Sequence, residues 1–337
     1  MTVDIIVPVY QPNWECLDKV ISAALDQEIP TSVGLVLDGP DKQVEQRLTE
    51  MTQAEPRVRY LVTEGFGTGD ISRLEILDTP TSDFLIFLDD DVVATPTLAK
   101  QHADALESTP GIVLGQLETV IPPTSDPLRP GALLYDQWYQ HNRESWLADP
   151  NTVAWSFWGG NFSGRRETMQ RIRSFVTREQ VNYSLDSFYG LIANELGIPV
   201  TYRDDIVARH FVEKPIDQVP GVGYAYGSAA AVMARGINNL LPKKAADYRG
   251  PALKVQSFPG AKMLTRLYGK RPITTRNMLI RAAARNNERG NDDKAVRYLS
   301  AAHVLELTRG YREHDVPNAI SRDISQLLSA ARAAAQD

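Results

Sequence analysis

The chain has 337 residues, 43% hydrophobic and 23% charged, with a net charge of −6; this is the make-up of a globular protein with ample material for a core. Its single cysteine, Cys16, excludes an internal disulfide framework and fits a reducing compartment. No stretch approaches about 18 uninterrupted apolar residues, and no basic segment followed by an apolar one opens the sequence, so the expectation is a cytoplasmic protein.

Residues 4–9 (DIIVPV) are β-branched, apolar and ended by prolines, which predicts a buried parallel strand. Leu17, Val20, Ile21 and Ala24 recur at helical spacing over 16–25, with Cys16 as packing. A second buried strand at 32–37 closes on Asp38-Gly39-Pro40, followed by a helix at 43–51 and a third strand at 58–62. A helix at 68–77 precedes a fourth strand, 84–88 (FLIFL), which runs straight into Asp89-Asp90-Asp91. Strands alternating with helices at this spacing predict βαβ units and a mainly parallel, Rossmann-like sheet.

Beyond Thr95-Pro96 the spacing predicts a helix to about residue 106 and a strand over 111–120. Four prolines within 122–130 mark a loop, and 133–147, rich in aromatic and charged residues, reads as irregular or helical. A glycine-broken strand over 155–163, helices from 166 and over 186–196, and short strands at 200–202 and 206–208 lead to His210. From about residue 215 Ala-rich helical stretches (227–240, 275–289, 292–308 and 318–335) replace the strands, which predicts a helical C-terminal region, 215–337. Residues 243–289 hold twelve Lys and Arg against only Asp247 and Glu288. Such a basic segment in an acidic chain predicts an anionic partner, which we read as a peripheral contact with an anionic membrane at the inner face of the cell membrane. Nucleic acid is not expected, because the chain is acidic overall and carries no recognised nucleic-acid module.

The acidic triplet carries the chemistry. Carboxylates delivered together at the C-terminal end of an apolar strand lie where open α/β sheets hold their ligands. Their mutual repulsion calls for a hard cation such as Mg2+ or Mn2+, although an acidic cluster capping the next helix has the same pattern. Asp38 is a turn former or a ligand contact. Arg73, in Gly67-Thr68-Gly69-Asp70-Ile71-Ser72-Arg73, is an ordinary surface arginine or a phosphate contact. Trp155 and Trp158 either stack on a ligand or fill the core.

In order, these segments resemble family-2 inverting glycosyltransferases of the GT-A fold, over about residues 3–212. Pro8, Val9 and Tyr10 look like the family's first strand and nucleotide-binding loop, with Gln11 in place of the usual asparagine. Asp38 matches the acidic residue that contacts the donor base, and Arg73 the arginine near the diphosphate, with Leu74 in place of the usual asparagine. Asp89-Asp90-Asp91 matches the DxD motif, Asp89 serving ribose and metal and Asp91 the metal. Trp158, Gly159, Gly160 and Asn161 are similar to the strand beside the acceptor pocket. Asp186 takes the place of the catalytic base, preceded by Leu185 rather than glutamate, and His210 that of a histidine completing the metal site. Read from the residues alone, Asp186 is equally an N-cap after Ser184 and His210 a structural histidine.

The resemblance implies a catalytic domain over 1–214, with a donor-binding half to about residue 120 and an acceptor-binding half over 121–214. It implies transfer of a sugar from a UDP- or dTDP-linked donor to an acceptor hydroxyl with inversion, assisted by Mn2+ or Mg2+. The acceptor would be a glycan or a lipid-linked molecule of cell-surface glycan or glycolipid synthesis, and an exposed apolar helix in the C-terminal part could pair two copies into an oligomer. A catalytically inactive nucleotide-sugar-binding protein is the alternative, with Glu179 or Asp205 as substitute bases should Asp186 not serve. A nucleotidyltransferase is discounted because the loop after the first strand lacks glycine and lysine, and an oxidoreductase because no GxGxxG follows that strand.

Overall fold

The computed structural model describes residues 2–65, 69–79, 82–176, 185–212, 214–238, 261–313 and 329–335. The chain separates into two compact units, one of residues 1–118, 141–211 and 328–337, the other of residues 119–140 and 212–327. One division between the units falls at 211–212, and the segment 119–140 groups with the second unit.

The first unit is built on a mixed eight-stranded sheet of order β3-β2-β1-β4-β7-β6-β8-β5. Strands β1 (Val3–Val9), β2 (Thr31–Leu37), β3 (Val58–Val62) and β4 (Phe84–Leu88) pair in parallel. The elements between them are α1 (Trp14–Leu25), α2 (Lys42–Ala54) and α3 (Gly69–Glu75). Every residue of β1 is buried, as a central strand covered on both faces requires. Asn13 caps α1 through Glu15 N–H, and the predicted face of Cys16, Leu17, Val20, Ile21 and Ala24 is the buried one.

Past β4 the sheet changes direction. The short β5 (Val92–Ala94), which the sequence pattern did not reveal, pairs antiparallel with β8 (Val200–His210). That strand is continuous where two short ones were expected. Between them lie α4 (Leu98–Ser108), β6 (Ile112–Thr119), α5 (Arg129–Ala148), β7 (Asn161–Arg165), α6 (Arg166–Arg173) and α7 (Leu185–Glu195). The expected strand at 155–163 starts only at Asn161. Residues Pro150–Trp155 form a 3-10 helix, opened by the Asp149 cap, and Gly159-Gly160 form a turn. β7 lies antiparallel to both β4 and β6, with Leu88 opposite Asn161.

Two buried polar groups fix this frame. Asp4, fully buried in β1, accepts from Arg59 Nη2 at 2.9 Å, from Ser32 Oγ and from Ser82 N–H. His102, on the buried face of α4, bridges to β7: its Nε2 lies 2.9 Å from Asn161 Oδ1 and its Nδ1 2.8 Å from Ser163 Oγ. Asn161 Nδ2 donates to the carbonyls of Gln116 and Ile206, so its Oδ1 faces the ring. His102 is therefore neutral with the proton on Nε2, accepting from the Ser163 hydroxyl at Nδ1.

The second unit contains α8 (Val219–Asn238), α9 (Ala261–Lys270), α10 (Pro272–Glu288) and α11 (Asp292–Glu313). Leu134, Ile216, Val219, Ala283, Val296 and Leu299 form one core cluster, and Tyr268, Leu279, Ala301, Ala302 and Leu305 a second. Helix α9 was not expected from the sequence, and most of the predicted stretch 318–335 lies outside the described residues. Arg129 grips Asp292 through Nε and Nη2 at 2.7–3.0 Å, closing the segment 119–140 onto α11 within this unit.

Burial lowers the pKa of His102 to about 4 and that of His303 also to about 4, from 6.5. Between those values the unfolded chain binds protons that the native one refuses, so stability falls as the pH drops from 6.5 toward 4. At pH 5 each histidine costs roughly 2 kcal/mol relative to pH 7. Urea unfolding should show this loss, and His102→Gln should flatten the pH dependence; an unchanged midpoint from pH 7 to pH 5 contradicts the neutral, buried assignment.

Candidate active site

The C-terminal ends of β1, β2 and β4 open on one edge of the first unit. Val9 is fully buried and Pro8 also lies within the covered strand, so their side chains belong to the core. Of the three loop residues read as donor-binding, only Tyr10 is exposed. The next residue, Gln11, has φ 46°, a left-handed conformation that asparagine tolerates better than glutamine. Asp38 is buried at the end of β2; its N–H donates to Val9 O at 2.9 Å and its Oδ1 faces Thr63 Oγ1 at 3.4 Å. Behind it Gly39 (φ 93°) and Gly65 (φ 89°) come so close that a Cβ on either would lie 3.2 Å from the other's Cα. Both the left-handed backbone and the contact demand glycine there.

The acidic triplet forms the turn from β4 into β5, closed by Val92 N–H donating to Asp89 O at 3.1 Å. Its outer carboxylates have different partners. Asp89 Oδ1 accepts from Arg73 Nη2 at 2.7 Å. Asp91 Oδ2 lies 3.2 Å from His210 Nε2, where β8 ends opposite Val92. Asp90 is half-buried between them. Among the described residues no three His, Cys, Asp or Glu side chains gather as one metal-ready group. Of the residues read as ligands, Asp89 is held by Arg73, and Asp91 lies beside His210.

The Arg73 side chain is only 3% exposed. The planar guanidinium spends Nη2 on Asp89 and donates from Nη1 to Gly159 O at 3.0 Å. The same residue continues the chain of contacts: Gly159 N–H donates to Asp186 Oδ2 at 3.0 Å, and Asp186 Oδ1 accepts from Ser187 N–H at 2.8 Å. Asp186 stands in the first turn of α7, with its charge at the positive end of the helix dipole.

Gly159 and Gly160 lie between the two carboxylates. A Cβ on Gly159 would stand 2.8 Å from Asp186 Cβ, and one on Gly160 would stand 3.0 Å from Asp89 Oδ2 and 3.1 Å from Leu117 Cδ1. The turn is closed further by Asp89 N–H, which reaches Gly160 O at 3.4 Å. Trp158 is half-buried beside it. Asn161, read as an acceptor contact, is fully buried, and its amide is spent on His102 and two carbonyls, so it anchors the turn from behind. His102 escaped the sequence reading, though a histidine spaced four residues from both Leu98 and Leu106 on an apolar helix face was the available signal. Of the substitute bases, Asp205 is an exposed partner of Arg203 and Glu179 lies outside the described residues.

Comparisons with known proteins bear on the fold. The mannosyltransferase PcManGT from Pyrobaculum calidifontis, solved with GDP-Man and Mn2+, superposes with a TM-score of 0.58 at 16% identity, over 91% of this chain and 87% of that one. S. aureus TarS superposes with a TM-score of 0.51 at 13% identity over 88% of this chain; the match spans only 54% of TarS. TarS 1-349 in complex with UDP gives 0.51 at 12% identity, over 94% and 95% of the two chains. These likenesses establish the fold, and no curated protein matches the sequence. The family profile described as glycosyl transferase family 2 matches residues 4–175, just over half of the chain, which therefore belongs to glycosyl transferase family 2.

Proposed function

We propose that the chain transfers a sugar from a nucleoside-diphosphate donor, UDP- or dTDP-linked, to an acceptor hydroxyl with inversion, and that it serves the synthesis of a cell-surface glycan or glycolipid. The observation that carries this reading is the approach of Asp89 and Asp186 to the two neighbouring glycines of one turn. A donor-side carboxylate and an acceptor-side base are thereby spaced by backbone alone. On this reading Asp38 and Tyr10 meet the nucleoside, Asp89 and Asp90 the ribose side of the donor, and Trp158 the acceptor sugar. The donor half extends to about residue 120, and the acceptor half includes β7 and α7. The nucleotides in the neighbouring structures, UDP and GDP-Man, support a nucleoside-diphosphate donor.

Asp186 takes the proton of the acceptor hydroxyl as that oxygen attacks the anomeric carbon. The bond from that carbon to the diphosphate oxygen breaks on the opposite face, the electron pair leaves with the nucleoside diphosphate, and the configuration inverts. Gly159 N–H holds Asp186 Oδ2, which leaves Oδ1 directed by Ser187 N–H. The residues present also fit a divalent cation. Asp91 and His210 offer an oxygen and a nitrogen 3.2 Å apart, both shielded, and Mg2+ and Mn2+ commonly take one or two protein ligands with substrate phosphates and water. When bound, the cation offsets the charge that develops on the leaving diphosphate.

Asp186→Asn should lower the transfer rate about 10^2-fold or more while donor affinity stays near the parent value. Transfer at the parent rate places the base elsewhere, and parent-like nucleotide binding without any turnover in the unaltered chain identifies a binding protein instead. Gly159→Ala, whose Cβ meets Asp186, should cut turnover by roughly 10^2-fold, the scale of a displacement of about 1 Å, with an unchanged circular dichroism spectrum. An active Gly159→Ala enzyme refutes the spacing argument. For the cation, calorimetric titration with UDP should show tighter binding in Mn2+ than in EDTA, and Asp91→Ala and His210→Ala should each abolish the difference. A gain that survives both substitutions removes these residues from the metal site.

A further inference from the structure

Helix α9 has two apolar faces, and its own unit covers only one. Leu264 and Tyr268 pack into the cluster formed by Leu279, Ala301, Ala302 and Leu305. On the adjoining outer face Met263 is 67% exposed and Leu267 40% exposed. Helical spacing places Arg266 and Lys270 on that same outer stripe, both exposed, and Arg271 and Ile273 continue it into the start of α10, with Ile273 61% exposed. Among the described residues none of these three cations forms an ion pair. Over residues 261–287 there are seven Lys and Arg and no Asp or Glu. The nearby Glu306 of α11 is 1% exposed and faces Arg276 and Arg309, so it does not neutralise the outer stripe.

We propose that the outer face of α9 and its junction with α10 dock on an anionic lipid bilayer. Alternating cations and exposed apolar side chains suit a surface that is negatively charged above and hydrocarbon below. A soluble polyanion would use the charges but leave Met263, Leu267 and Ile273 in water. The ten residues of α9 span about 15 Å, half the thickness of a hydrocarbon core, so the helix lies along the interface and does not cross it. No helix among the described residues is long and apolar enough to cross a membrane. The sequence reading assigned the contact to 243–289; among the described residues the proposal places it at 263–273, and 243–260 lie outside them. This inference is independent of the proposed transfer chemistry.

The full chain is tested by co-sedimentation with vesicles of phosphatidylcholine alone or containing phosphatidylserine. We expect binding to the anionic vesicles only, weakened by salt. The triple variant Arg266→Glu, Lys270→Glu, Arg271→Glu should bind about 100-fold more weakly, at roughly fivefold per cation removed. The double variant Met263→Ser, Leu267→Ser should bind at least about tenfold more weakly through lost apolar insertion. Thermal unfolding and nucleotide binding of both variants should match the parent, which separates failure of this surface from failure of the active-site reading. Equal binding to neutral and anionic vesicles, or no binding to either, overturns the proposal. Loss in the charge variant with full binding by the apolar one also overturns it and points to a soluble polyanion.

Discussion

The site depends on one buried guanidinium. Arg73 is shut away from water and offers its donors in a fixed plane, so the groups that accept from it are fixed too. One is the Asp89 carboxylate at the end of β4; the other is the carbonyl of Gly159 in the turn before β7. The bond to Asp89 is charge-assisted and short, about twice as strong as a neutral one. The N–H of Gly159 holds Asp186, so the carboxylates of Asp89 and Asp186 share a single mechanical connection. A displacement of Arg73 reaches both, which makes it a positioning residue whose effect is felt through Asp89 and the glycine turn.

The scaffold behind this connection is stiff by the same means: buried polar groups fully supplied with partners. His102 fixes Asn161 and Ser163 from α4, and Asn161 reaches Gln116 on β6 and Ile206 on β8. Asp4 ties β1 to Arg59 of β3 and to Ser82 just ahead of β4. Networks of this kind specify a single arrangement because each alternative leaves a donor or acceptor unmatched in a low dielectric. The neutral state of His102 belongs to that logic, since a charged imidazole would present a second donor where Ser163 supplies one.

Much of this was legible in the sequence, for identifiable reasons. Continuous β-branched runs such as 4–9 and 84–88 can hardly be anything but covered strands, and the structure places them at the centre of the sheet. The acidic triplet, Asp38 and His210 could be located because each follows such a run. Partners were not legible. Composition shows that Arg73 follows a glycine-rich turn, but cannot show that its head turns inward to a carbonyl 86 residues away. The strand expected through 155–163 failed because Trp155 and Phe157 carry strand propensity, whereas the Asp149 cap and Pro150 commit the segment to a 3-10 turn. β5, only three residues long, is held by its pairing with β8 and leaves no periodicity of its own. Helix α9 is too short, and too interrupted by Gly269 and Pro272, for its period to stand out.

The register of β4 against β7 ties these elements together. Leu88 faces Asn161 across the antiparallel pair, so the next residues of each strand, Asp89 and Gly160, meet just beyond the last ladder bond. Side chains alternate along a strand, and a slip of one residue would point Asn161 away from His102 and bring a side chain against Asp89. Asn161 and His102 therefore hold the register that sets glycines, the smallest residues, opposite the carboxylates. The spacing of Asp89 and Asp186 is thus a property of backbone pairing, and the side chains that guard it are found in the core, one layer behind the residues that a motif would name.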